Sequence, residues 1–179
     1  MYGALLAFAR TGSHSSALND IRCALKMKTD IKQFPLAWRW TQSTHTLLPD
    51  AILAQLMPLD SVAAAQLDER LRGSFDGPML KRNMFDSLQK HDASQPSSSF
   101  LASLGIDDST LVFLSWDPNV ALRTPWGIFR DYWDDFCYPA SDDLTITPAD
   151  DSWLLFYFHE EMFEFGKRKQ HNHPSESAR

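Results

Sequence analysis

The sequence predicts an α+β fold, in which a small and mainly antiparallel sheet carries helices packed on one side. Helix signals fill the chain up to about residue 104, and strand signals begin at Thr110. Helices grouped before strands are typical of α+β domains. The length of 179 residues suits one domain, and the content of 44% hydrophobic and 22% charged residues is typical of a globular chain.

The chain divides into one predicted domain and two flanking segments. Residues 27–168 form the α+β domain, because Met27 begins a stretch that reads like a natural protein start. We expect residues 1–26 to be a loosely ordered extension, with an additional helix over residues 17–28 as the alternative. Residues 169–179 are predicted to be a disordered tail, which continues a short basic run beginning at Lys167.

Proline, glycine and capping residues place the predicted helices. Pro49 starts a helix that Pro58 closes, and Asp60 or Ser61 caps a second that ends at Gly73. A third is predicted over residues 78–90 and a short one up to Leu104. The inward residues are Ala64, Leu67 and Leu71 on the second helix and Leu80, Met84, Phe85 and Leu88 on the third. Residues 34–41 are predicted as a short strand from the alternation of Trp38, Arg39 and Trp40.

The strands are predicted near residues 110–116, 144–146, 153–159 and 162–167. The first is a continuous apolar run and so a central strand buried on both faces. The last two form a hairpin around Glu160 and Glu161. Because this turn lacks Gly or Asn, we expect a four-residue loop.

An aromatic helix is predicted between the first two of these strands. Thr124 and Pro125 provide its cap and first turn. Four rings then recur at spacings of three, four and three residues, which places them on one helical face: Trp126, Phe129, Trp133 and Phe136. We expect this face to pack against the sheet.

Charge and cysteine content exclude several classes of function. The net charge of −6 and pI near 5.4 disfavour binding to nucleic acid or to anionic lipid. No segment approaches the roughly twenty apolar residues that a transmembrane helix needs. The two cysteines lie far apart and indicate no disulfide framework, which favours the cytoplasm. The seven glycines form no phosphate-binding loop or dinucleotide fingerprint, so no cofactor is expected.

A cluster of acidic residues in the last third of the chain is the one candidate for chemistry. Asp134, Asp142 and His159 could serve a metal-dependent hydrolase, since carboxylates and imidazole bind divalent cations. Their spacing argues against it, because Asp134 and Asp135 point apart on a helix and Asp142 is a turn residue. We therefore predict no catalytic residue and no metal site, and keep the hydrolase as the alternative function.

The favoured function is non-enzymatic binding of another protein, of the kind performed by immunity proteins and inhibitors. Aromatic residues anchor protein interfaces, and negative charge attracts a basic partner. The alternative is that every ring belongs to the core. The residues predicted to contact the partner are Trp126, Tyr132, Asp134, Asp135, Asp142, Asp143, Glu160 and Glu161.

Scattered landmarks over residues 34–168 resemble those of an uncharacterised family of small bacterial proteins, a domain of unknown function of the DUF2947 type. They are Trp40-Thr41, Pro49, Pro58-Leu59, the four rings of the aromatic helix, Asp142-Asp143 and residues 163–168. The resemblance implies a bacterial protein. It carries no catalytic residue, substrate or cofactor with it.

Overall fold

The computed structural model describes residues 30–169 of the chain. Within this range, a seven-stranded antiparallel sheet and a separate two-stranded hairpin are accompanied by six α-helices. The predicted α+β class is confirmed. The predictions for residues 1–26, for a helix over residues 17–28 and for residues 170–179 of the tail lie outside the described residues.

The helices are short except for one. They are α1 (Trp38–Thr41), α2 (Asp50–Leu53), α3 (Ser61–Arg72), α4 (Ser98–Ser103), α5 (Trp126–Asp131) and α6 (Trp133–Phe136), with 3₁₀ turns at Ile31–Gln33 and Arg82–Met84. The strands are β1 (Met57–Pro58), β2 (Phe75–Asp76), β3 (Met79–Leu80), β4 (Phe85–Asp92), β5 (Leu111–Asp117), β6 (Val120–Pro125), β7 (Leu144–Pro148), β8 (Trp153–Phe158) and β9 (Met162–Arg168). None of the helices over residues 30–169 is long and apolar enough to cross a membrane.

The large sheet has the order β1-β6-β5-β7-β8-β9-β4, and β2 pairs with β3 outside it. Every neighbouring pair is antiparallel. The four predicted strands become β5, β7, β8 and β9, with ends within two residues of the prediction. β6 was not predicted, because Thr124-Pro125 was interpreted only as a helix start. Pro125 in fact ends β6 and caps α5.

Helices cover both faces of the sheet rather than the one that the sequence predicted. On one face, Leu114 and Leu155 pack with residues of α1, α4, α5 and α6. On the other, Phe113 and Leu154 pack with Leu67 of α3 and with the β2–β3 hairpin. The alternation of β5 and β8 explains this difference, because both strands point apolar side chains to both faces and each face needs a cover.

The helix α3 matches its prediction closely. The Asp60 carboxylate accepts the Ala63 N–H at 2.8 Å, the helix ends before Gly73, and Ala64, Leu67 and Leu71 are buried. Here a good cap, a clear apolar stripe and a glycine stop all agree, so local sequence was sufficient.

The predicted helix over residues 78–90 is wrong. The chain forms β3, a 3₁₀ turn and the edge strand β4, which pairs with β9. Leu80 and Phe85 are nevertheless buried, and Met84 and Leu88 are partly buried against the same core. The inward residues were therefore correct, but pairing with β9 overrides the helical spacing.

The predicted strand over residues 34–41 is also wrong, since this segment contains α1. Trp40 is fully buried and its indole N–H donates to the Asp135 carbonyl at 3.1 Å, while Arg39 points inward as well. These tertiary contacts, 95 residues or more apart in sequence, outweigh the period-two pattern. The predicted helix over residues 49–58 is reduced to α2, and Pro58 lies in β1 instead.

The aromatic helix is interrupted at Tyr132, whose φ of −123° and ψ of 25° separate α5 from α6. Trp126, Phe129 and Phe136 are fully buried against the sheet as predicted. Trp133 is only partly buried and meets the Phe163 ring edge-on at 5.6 Å. Past the break, only the third ring, Trp133, is partly exposed, because the fourth ring, Phe136, is again inside.

The β8–β9 loop has three residues between the paired Phe158 and Met162, not four. Glu161 closes it with a φ of 59°. A three-residue loop usually ends in such a left-handed residue, and the position is one where Gly is commoner than Glu.

Candidate functional site

A buried ion pair fixes the loop after α6 to α1. Arg39 Nη2 donates to Asp142 Oδ1 at 2.9 Å, and the Tyr138 N–H donates to Asp142 Oδ2, also at 2.9 Å. Only 4% of the Arg39 side chain and 6% of the Asp142 side chain are exposed. Because each charge is buried with its counter-charge, this pair holds one geometry of the two segments.

Three aromatic side chains lie together above this ion pair. The Trp38 ring contacts His45 edge-on at 4.6 Å and Tyr138 edge-on at 5.7 Å. The Arg39 guanidinium lies 4.2 Å from the Tyr138 ring centre and 5.3 Å from that of Trp38. His45 is exposed, and Trp38 and Tyr138 are partly buried. The rings therefore form a surface cluster with a rigid base.

Two carboxylates of α6 stand beside these rings. Asp134 is exposed and Asp135 is partly buried. Burial raises the pKa of Asp135, opposed by a hydrogen bond from Thr46 in the loop that carries His45, and the neighbouring Asp134 raises it further. Burial also raises the pKa of Tyr138, opposed by the Arg39 charge. We call Trp38, His45, Tyr138, Asp134 and Asp135 together the aromatic–acidic surface.

A second acidic group lies at the same end of the sheet. The Ala140 N–H donates to the His159 carbonyl at 2.9 Å, which joins the loop after α6 to the β8–β9 loop. Asp143 Oδ1 accepts the His159 N–H at 3.1 Å and lies 2.8 Å from its Nδ1. Glu160, exposed, and Glu161, partly buried, follow His159. These contacts bring Asp143, Glu160 and Glu161 to one edge.

The predicted partner-binding residues therefore divide between the surface and the interior. Trp126 is fully buried and Asp142 is 6% exposed, so neither can contact a partner directly. Tyr132 is partly buried and packs against the core. The others reach solvent in whole or in part: Asp134, Asp135, Asp143, Glu160 and Glu161.

The residues named for the alternative hydrolase belong to different contacts. Asp142 binds Arg39 and His159 binds Asp143. Over residues 30–169, no group of three or more His, Cys, Asp or Glu side chains is placed to hold a metal ion. Cys137 is buried, and burial raises the pKa of its thiol well above the usual value, which disfavours the nucleophilic thiolate.

Trp38, His45 and Tyr138 were not among the predicted site residues. Tyr138 is separated from His45 by 93 positions in sequence. No local spacing relates the two segments, and the strand predicted for residues 34–41 placed Trp38 and Trp40 on the same face. In the helix α1, positions two residues apart are rotated by about 200° about the axis, which leaves Trp38 partly exposed and Trp40 inside.

Comparison of the sequence with protein-family models gives no match, and comparison with curated proteins gives no significant one. The resemblance to the bacterial domain of unknown function stays a prediction.

Proposed function

We propose that this chain is a non-enzymatic binding module that holds a basic protein partner through the aromatic–acidic surface. The observation that carries the proposal is the contact of Trp38, His45 and Tyr138 at the surface, beside Asp134 and Asp135. We further propose that it acts in the bacterial cytoplasm, as the cysteine content favours.

Aromatic side chains at a protein surface support this function because Trp and Tyr dominate binding energy at interfaces. Their side chains bury a large area at a small entropic cost. Leu47, which is 60% exposed in the loop carrying His45, adds apolar area there. Since Arg39 and Asp142 hold the rings from below, little ordering is needed when a partner binds.

The charge of the surface supports a basic partner. Asp134 and Asp135 flank the rings, and Asp143, Glu160 and Glu161 lie at the same end of the sheet. The whole chain carries a net charge of −6. Such a field accelerates the encounter with a positively charged protein and repels acidic ones.

Affinity capture from a native lysate tests the proposal. The wild-type chain and the Trp38→Ala variant are immobilised at equal density, and retained proteins are quantified by mass spectrometry. We expect a basic protein whose recovery falls by about tenfold or more in the variant, the loss typical of an interface hot spot.

Two further variants control for damage to the fold. Val62→Ala removes an apolar side chain that is 64% exposed on α3, across the sheet from the aromatic–acidic surface, and should leave recovery unchanged. Asp134→Lys reverses an exposed charge beside the rings and should reduce recovery as Trp38→Ala does. Equal recovery by all four proteins, together with turnover in a broad hydrolase screen, would reverse the order of the two functions.

A further inference from the structure

A cleft of about 260 Å³ opens on the face of the sheet opposite the aromatic–acidic surface. Its walls come from the end of α3 and the β2–β3 hairpin, and its floor comes from β5, β7 and β8. Asp143 stands at its rim, one residue after the Asp142 that anchors the other face. The cleft and the aromatic–acidic surface therefore share one end of the sheet.

The floor of the cleft carries two hydroxyl groups. Ser115 and Thr145 lie opposite each other on β5 and β7, and these residues are 6% and 7% exposed. Both residues line the cavity, and within residues 30–169 neither hydroxyl oxygen is among the fully buried side-chain atoms that lack a hydrogen-bond partner. As acceptors at the floor of a cleft, the two oxygens can receive the N–H donors of a ligand.

The walls are aromatic on one side. The rings of Phe75 and Phe156 meet edge-on at 5.0 Å, and Phe156 lies opposite Thr145 in the sheet. An apolar wall next to two hydroxyl groups suits a flat group that stacks on a ring and donates hydrogen bonds at its edge.

The charges at the rim favour a cation. Asp68 and Asp143 both line the cleft, with 25% and 50% of their side chains exposed. Among residues 30–169, Arg72 is the arginine at this rim, and it already pairs with Asp68 at 2.6 Å and with Glu69 at 3.2 Å. An anionic ligand would meet Asp143 and compete with two carboxylates for Arg72, whereas a cation meets the Asp143 carboxylate at Oδ2, because His159 contacts Oδ1.

We propose that this cleft binds the guanidinium group of an arginine side chain on the basic partner, a proposal that rests on the proposed function. Guanidinium is planar, stacks on aromatic faces and presents five N–H donors. The Asp143 carboxylate and the Ser115 and Thr145 oxygens are acceptors for those donors, and the phenyl rings supply the stacking surface. Lysine lacks the planar fork and fits this combination less well.

The probe is the blocked tripeptide Ac-Gly-Arg-Gly-NH₂, titrated into the ¹⁵N-labelled full chain. Its matched control contains citrulline, which has nearly the same shape and no charge. We expect the arginine peptide to shift the amide signals of Ser115 and Thr145 and to bind about tenfold more tightly than the citrulline peptide. Equal binding of the two peptides, or no binding, would overturn the proposal.

Variants locate the binding. Asp143→Asn should weaken binding of the arginine peptide by about tenfold. Thr145→Val, which keeps the side-chain shape, should weaken this binding by about threefold. Asp86→Asn removes one exposed carboxylate from the edge strand β4 and should change nothing. Binding that both cleft variants leave unaltered would place the peptide elsewhere and refute the site.

The Trp38→Ala variant separates this proposal from the proposed function. Trp38 lies in α1, whose Trp40 packs on the face of the sheet opposite the cleft, so loss of Trp38 should leave peptide binding unaltered while it reduces partner capture by about tenfold or more. If peptide binding depends on Asp143 but partner recovery is the same with Trp38→Ala as with the wild type, the cleft is supported as an arginine site. The aromatic–acidic surface is then refuted as the partner site.

Discussion

At the scale of single residues, the ion pair between Arg39 and Asp142 decides how the aromatic–acidic surface is built. It joins two segments that are 103 residues apart and positions Tyr138 through a backbone hydrogen bond. Asp142 was predicted as a turn residue and as a partner contact. It does lie in the loop after α6, but its carboxylate points inward to a charge that sequence spacing could not connect to it.

Asp142→Asn should destabilise the fold strongly, because the Arg39 charge would remain buried without a counter-charge. We expect a loss of about 3–5 kcal/mol in the free energy of unfolding, measured by urea titration. The matched control is Asp134→Asn, at an exposed position nearby, with a change within about 0.5 kcal/mol. Similar stability of the two variants would show that the ion pair is not a structural anchor.

Other site residues show the limit of sequence reasoning at this scale. The acidic character of Asp134, Asp135, Asp143 and Glu160 was readable, and all four reach solvent in whole or in part. The exposure of the aromatic side chains could not be predicted from the sequence, because burial depends on the segment that packs against each ring. Trp126 is interior whereas Trp38 is at the surface, although both lie in aromatic-rich segments.

At the scale of elements, strong local signals were sufficient where they agreed with tertiary contacts. The helix α3 has a cap, an apolar stripe and a stop, and the strands β5 and β8 have long apolar runs. The prediction for the segment Phe85–Asp92 failed because this segment is an edge strand with mostly polar, exposed residues. Such a strand lacks the alternating pattern of a half-buried one, and only its pairing with β9 identifies it.

Because β4 packs against β9 at Gly166, the Gly166→Ala variant tests whether β4 forms the edge strand of the sheet. A Cβ at Gly166 would lie 2.6 Å from Phe85 Cδ1 and 2.8 Å from Leu88 Cδ2. We expect a loss of about 1–3 kcal/mol by chemical denaturation, since overpacking forces these side chains to move.

The control is Gly73→Ala at the end of α3, where an added Cβ meets nothing within 4 Å. Its φ of −65° suits alanine, so stability should be unchanged or rise by about 0.4–1 kcal/mol. Equal effects at the two glycines would contradict the packing of β4 on β9.

Of the four rings in the aromatic stripe, Trp133 is partly exposed, while Trp126, Phe129 and Phe136 are fully buried. Phe129→Ala should cost about 3–5 kcal/mol in thermal or urea unfolding, because its ring is fully buried. Trp133→Ala should cost less, since Trp133 is partly exposed, and Asp131→Ala should stay within about 0.5 kcal/mol. A larger loss at Trp133 than at Phe129 would mean that the two helices form one continuous inward stripe.

At the scale of the whole molecule, the sheet separates the aromatic–acidic surface from the cleft, and both lie at the same end of the sheet. One face carries the aromatic–acidic surface and the other carries the cleft with Ser115 and Thr145. The sequence predicted an acidic, non-enzymatic binding module, but helices on one side only would have left the second face of the sheet without the α3 wall of the cleft. Distribution of the helices over both faces follows from strands that are apolar on both sides.

Site-directed photo-cross-linking tests the central claim most directly. The photoreactive residue p-benzoylphenylalanine is placed at position 45, within the aromatic–acidic surface, or at position 62, which is exposed on α3. After irradiation in native lysate, we predict one discrete adduct with a basic protein from position 45, lost on addition of salt before irradiation, and none from position 62. No adduct from position 45, or the same adducts from both positions, would contradict partner binding at this surface.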